Sequence, residues 1–257
     1  MLAEIPLPMV HTAFGLAVVA AEVLLRPEAV GSGRSAIYDA GLALLTGLLL
    51  VAYDFLIYPS EMRPGPVGAA LPMAAALSFG ALLGNALFPL PIRIGGGVIA
   101  ALVIGGVPRL AGRRALGKEG WFTRLVRDIL GIAVLAPVLL AGATPTLSLT
   151  SRLGFVFAVA VLVSLDSLRT EHVPITWTIL AALVVGAVVA GGAAAAGTST
   201  AHAGWRAAIL LVLWYGARGV AGALGTTAAR SREVVAEYAV FMVAAVAGLL
   251  WISLARL

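Results

Sequence analysis

Charged side chains set inside long apolar runs are where chemistry is expected in this sequence. Asp54, Asp128, Asp166, Arg218 and Glu237 have such settings, with Asn85 and His11 as neutral companions. A charge placed in hydrocarbon costs about 2.5–3.5 kcal/mol on insertion scales, so it must pair, face a cavity or hold a ligand. Asp128 has Arg124 four residues earlier and Asp166 has Arg169 three residues later, which is the spacing of interfacial ion pairs. Glu237 follows Glu233 by one turn near a helix start, where the helix dipole favours acids. Arg218 is different, because the run LVLWYGARGVAG offers it no local acid. Its guanidinium must find Asp166 or Asp54 on another helix, or a bound anion.

Asp54 lies between Tyr53 and Phe55 in VAYDFLIYPSEMRPGP, one turn before its run stops at Pro59. Placed on their helices, Asp128, Asp166, Arg218 and Glu237 fall near cytoplasmic ends and form a polar layer under the inner leaflet, which Asp54 joins with nine spans and leaves for the opposite side with eight. These residues, with Asn85, are the expected substrate-binding or buried ion-pair positions, and no catalytic residue is assigned. Asn85 reads as a hydrogen bond between helices. His11, His172 and His202 are scattered, so no metal, haem or other cofactor is expected. Tyr38-Asp39 and Tyr53-Asp54 stand about 22 Å apart on one helix and read as end positions rather than a repeat.

The elements that must carry these residues follow from composition. Hydrophobic residues make up 61% of the 257 positions, charged residues 11%, and mean hydropathy is +1.05. A soluble domain needs far more polar surface, so the expected fold is all-α, a polytopic transmembrane helical bundle. Nine apolar segments can be drawn, at 8–25, 38–58, 66–88, 94–110, 123–142, 150–168, 173–197, 205–224 and 234–254. Segment 94–110 is short and rich in glycine, so it is either a span or a re-entrant element, giving nine or eight membrane segments.

Basic residues set the orientation. Nine spans with a cytoplasmic N-terminus put ten basic residues inside and six outside, whereas eight spans with an external N-terminus give twelve and four. Segment length favours nine. The expected organisation is a single integral membrane domain over 1–257 with no soluble domain. Its expected setting is the cell membrane of a bacterium, with the lipid bilayer and other membrane subunits as partners. Net charge of +5 does not mean nucleic acid, because the basic residues sit at the ends of apolar runs. Without cysteine there is no disulfide or thiolate chemistry.

Small residues are placed for close packing. Gly80 and Gly84 form a GxxxG, and Gly216, Gly219, Gly222 and Gly225 recur every third residue, both read as packing within one bundle. Motif tests exclude several activities. Gly112 to Lys118 spells GxxxxGK, yet Glu119 replaces the magnesium-binding hydroxyl and no strand precedes it. Gly95-Gly96-Gly97 lacks a dinucleotide site's strand and marks a helix break or tight packing. There is no HExxH, no GxSxG and no GxGD, and Ala158 stands where a lipid-phosphatase signature needs histidine.

Transport, as a transporter or a transport-complex subunit for a small or lipid-like solute, ranks first. Its support is the glycine-rich segment four, Pro137 within segment five and the charges in the bundle. An assembly subunit ranks second and an enzyme acting on inner-leaflet lipid third.

Overall fold

The computed structural model describes residues 7–26, 33–57, 66–84, 88–115, 120–142, 148–169, 174–197, 202–225 and 231–254. Among the described residues all regular structure is helical. The helices are α1 (Leu7–Leu25), α2 (Gly33–Ile57), α3 (Ala70–Leu83), α4 (Leu90–Ala115), α5 (Trp121–Gly142), α6 (Leu149–Arg169), α7 (Ile175–Gly197), α8 (Ala203–Gly225) and α9 (Ser231–Leu254). A 3-10 turn at Pro66–Ala69 leads into α3. Apolar runs of this length adopt helices because hydrocarbon offers no partner for a backbone amide, and a helix satisfies its own.

Among the described residues, six helices are long and apolar enough to cross a membrane: α2, α4, α6, α7, α8 and α9. That is fewer than the eight or nine segments drawn from composition. In α1 the apolar stretch is Val10–Leu25, and α3 comprises only Ala70–Leu83. A 14-residue helix such as α3 rises about 21 Å, short of the roughly 30 Å of hydrocarbon. Segment 66–88 therefore does not form one full-length helix: its start is a 3-10 turn and its helix stops at Gly84. In α5 the first turns hold Arg124, Arg127 and Asp128, so its uncharged apolar stretch begins only after them.

Segment four departs from the re-entrant reading. It lies within α4, a helix of 26 residues that runs through Gly95, Gly96 and Gly97 without a break. The glycines are packing points. A side chain at Gly96 would run into Leu82, and one at Gly97 would press on Phe79 and Val19. Bare backbone there lets α3 and α1 lie close against α4.

The chain divides into two compact units, Met1–Val134 and Leu135–Leu257, with the boundary inside α5. In the first unit α1 packs chiefly on α4, and α3 packs on α2 and α4. Neighbouring helices run antiparallel. Gly97 meets Val19 while Gly105 meets His11 and Thr12, fixing α4 against α1. Gly47 meets Met73 while Gly80 meets Asp39, fixing α3 against α2. The Tyr38 hydroxyl donates to the Ala21 carbonyl at 2.8 Å, and the rings of His11 and Tyr53 meet at 4.8 Å, fixing α2 against α1. Short as it is, α3 is the core of this unit, with 12 of its 14 residues buried.

In the second unit α6, α7, α8 and α9 pack in sequence order. Gly186 admits Phe157 and Val161 of α6, and Gly192 admits Leu210 and Leu213 of α8. Gly216 and Gly219 lie under Met242 and Tyr238, so this part of the glycine series packs α8 onto α9 within the unit. Leu168, Ala181 and Ala182 form a core with Val161, Leu165 and Ala221 around them. By contrast α9 leaves most of its apolar surface outward, Val240, Val243, Leu250 and Trp251 among them. Such a surface suits lipid, which is as apolar as the side chains facing it.

Candidate functional site: a buried charge cluster in the first unit

The densest charge inside the first unit lies where α1 ends and α2 begins. Arg26, just past the last turn of α1, donates from Nε to Asp39 Oδ1 and from Nη2 to Asp39 Oδ2, each at 2.9 Å. This two-pronged pair is the strongest geometry available to arginine and carboxylate. It is well enclosed, with side-chain exposures of 13% for Arg26 and 1% for Asp39.

The fit depends on α3. A Cβ added to Gly80 would sit 2.7 Å from Asp39 Cγ, and one added to Gly84 would sit 2.5 Å from Arg26 Nη2. The GxxxG face of α3 therefore houses an ion pair. It does not admit the backbone of another helix, as its spacing had implied. Arg26 also lies at the C-terminal end of α3, where the helix dipole and unpaired carbonyls favour a cation.

One turn before Arg26, on the same face of α1, stands Glu22. It is among the largest fully buried side chains, with 0% exposure. Its carboxyl group lies close enough to Asp39 and Arg26 to feel both charges. Yet no donor among the described residues reaches either of its oxygens. Packing on α1, α4 brings the turn bearing Arg93 to the same level, because Gly97 opposite Val19 and Gly105 opposite His11 set that register.

None of Glu22, Arg26 and Asp39 was among the expected site positions. Arg26 had been counted as a joint residue and Asp39 as a helix end. The sequence did hold a signal: Glu22 and Arg26 are four apart at the close of an apolar run, the spacing of a helical ion pair. What it lacked was Asp39, which competes for the same guanidinium from another helix.

The expected positions are distributed over both units. Asp54 is buried near the far end of α2 from Asp39, beside the Tyr53 and His11 rings. A cavity of about 220 Å³ lined by Val10, His11, Phe14, Leu49, Leu50 and Tyr53 opens there. Asp128 is half-buried on α5, next to the buried Arg127. The partner expected for it, Arg124, and the position Asn85 lie outside the described side chains.

Asp166 and Arg218 are both buried in the second unit, at 6% and 7% exposure. Trp214 Nε1 donates to Ser164 Oγ at 3.0 Å, which aligns the turn of α6 before Asp166 with the turn of α8 before Arg218. The Arg218 guanidinium lies 5.9 Å from the Trp214 ring centroid, within reach of a cation–π attraction. Glu237 is exposed on α9. Among the described residues no three metal-ligating side chains converge.

Fold and site together define a class: an all-helical protein with several helices able to cross a membrane and ionisable groups enclosed between them. Comparison with protein-family models, with curated proteins and with solved structures finds no match to this chain.

Proposed function

We infer that this protein is a multi-pass carrier in the cell membrane, a transporter or the membrane subunit of a transport complex for a small or lipid-like solute. The observation that carries the reading is Glu22, an ionisable group wholly enclosed among helices with no donor on its oxygens among the described residues. Ionisable groups held inside membrane helices without a hydrogen-bond partner are costly, and where they are retained they mark ion and substrate pathways. The earlier support from an interrupted segment four falls away, since α4 is continuous. A different interruption supports the reading instead. The short, buried α3 ends beside charged side chains, and helix ends inside a bundle are where carriers hold charged ligands.

Nine membrane segments with a cytoplasmic N-terminus remain our proposed topology, three more than length and apolarity pick out among the described residues. The antiparallel alternation of α1 to α4 and the 26-residue length of α4 support it. One observation favours an assembly role, the fully engaged Arg26–Asp39 pair, which would stabilise a bundle without moving anything. That role leaves Glu22 without a purpose.

The test is flux. Purified protein in proteoliposomes, screened with small charged and zwitterionic solutes on a solid-supported membrane, is expected to give a transient current that Glu22→Gln abolishes. Folded protein that yields no current across the screen, together with loss of a partner complex in Arg26→Ala cells, would establish the assembly role instead.

A further inference from the structure

We propose that Glu22 is a proton-binding site whose proton is exchanged for a hydrogen bond from Arg26. The geometry assigns the two states. As an ionised carboxylate Glu22 can only accept hydrogen bonds, and no donor among the described residues reaches its oxygens. As an acid it has an O–H to give, and the Asp39 carboxylate lies beside it. Two carboxylates this close share one proton more readily than they both ionise.

Charge counting agrees. Within the trio of Glu22, Arg26 and Asp39, an ionised Glu22 puts two carboxylates on one guanidinium and leaves one excess negative charge. A proton on Glu22 removes that excess and leaves the Arg26–Asp39 pair as it stands.

Release is equally well provided for. Arg26 uses two of its five N–H donors on Asp39, from Nε and Nη2. Arg26 itself stands one turn from Glu22 on the same face of α1, so a turn of its guanidinium brings the remaining donors within reach of Glu22. When the Glu22 O–H bond breaks and its proton passes to water, Arg26 donates to the new carboxylate while holding Asp39. The guanidinium then leans toward α1, away from the end of α3 that Gly84 opens to it.

Among the described residues, the ionisable groups around Glu22 come from three helices. On α1 it is Arg26, on α2 Tyr38 and Asp39, and on α4 Arg93 at the same level. No residue of α3 ionises.

This inference deepens the transport reading by naming the coupling ion, but its test needs no transported solute. Infrared difference spectra of the purified full-length chain, acid minus alkaline, are expected to show a protonated-carboxyl C=O band that is lost as pH rises. The band disappears in Glu22→Gln and shifts in Glu22→Asp. It is lost in Asp39→Asn at a pH where the wild type keeps it, because Arg26 then has Glu22 as its carboxylate partner. Carbon-13 glutamate shifts the band in the unaltered chain, which assigns it to a glutamate rather than an aspartate, and its loss in a Glu22→Gln variant that keeps the wild-type helical content places it at Glu22. A band that ignores the isotope, or no band at any pH, overturns the proposal. Protonation at Glu22 without flux leaves this inference standing and removes the carrier reading.

Discussion

Gly80 and Gly84 show how a single missing side chain decides what a helix surface can hold. With hydrogen in place of Cβ, α3 makes room for a carboxylate at one position and a guanidinium one turn later. Gly80→Ala is expected to cost about 1–3 kcal/mol, because the methyl group meets Asp39 at a distance no packing tolerates. Gly41 on α2 is the control, since nothing lies within 4 Å of an added Cβ there. Gly41→Ala is expected to leave stability unchanged or to raise it by roughly 0.5–1 kcal/mol through helix propensity. Unfolding of both variants in detergent checks the contrast, and equal effects would show that Gly80 has no special neighbour. The charged residues that line this pocket were half legible in sequence. Glu22 and Arg26 share a spacing that any helix exposes, whereas Asp39 joins them only through the packing of α2 on α1 and α3.

At the scale of elements, the second unit is held by polar tethers as well as by glycine contacts. The Trp214–Ser164 bond ties α8 to α6, and Trp177 Nε1 donates to the Ala221 carbonyl at 3.0 Å, tying α7 to α8. Trp214 is 2% exposed, so its N–H has no access to water if Ser164 is lost. Ser164→Ala is therefore expected to destabilise by about 1–3 kcal/mol, the cost of an unsatisfied buried donor. Thermal unfolding followed by tryptophan fluorescence reads it, and an unchanged midpoint would mean that the indole finds another acceptor. Helix existence was legible here from apolar run length alone. Helix length was less so, as α3 shows, because a run such as 66–88 does not reveal where its backbone turns from 3-10 to α. Glycine-rich α4 was left between a span and a re-entrant element for a related reason. Glycine weakens an isolated helix, but here it also permits the close neighbours that hold the helix together.

For the whole molecule, the open question with the largest consequence is sidedness. The Glu22 cluster and the His11–Tyr53–Asp54 end lie at opposite ends of α2. With no native cysteine, single cysteines can report this directly. Arg34→Cys, at the Asp39 end of α2, and Ile57→Cys, at its other end, are expected to react with a membrane-impermeant maleimide from opposite sides. Reaction of both from one side would remove α2 from the spanning helices. Nine segments with a cytoplasmic N-terminus put Arg34 outside, so the same experiment tests our topology.

Composition and run length by themselves determined that this chain is helical and suited to a membrane. An apolar segment in hydrocarbon has few other ways to satisfy its backbone. Only the tertiary structure decided which charges share an enclosure. A charge is placed by its neighbours on other helices, and those neighbours are set by antiparallel register and by glycines that admit them. Sequence spacing paired Asp166 with Arg169 and left Arg218 without a local acid. Packing set Glu22, Arg26 and Asp39 together under the glycines of α3.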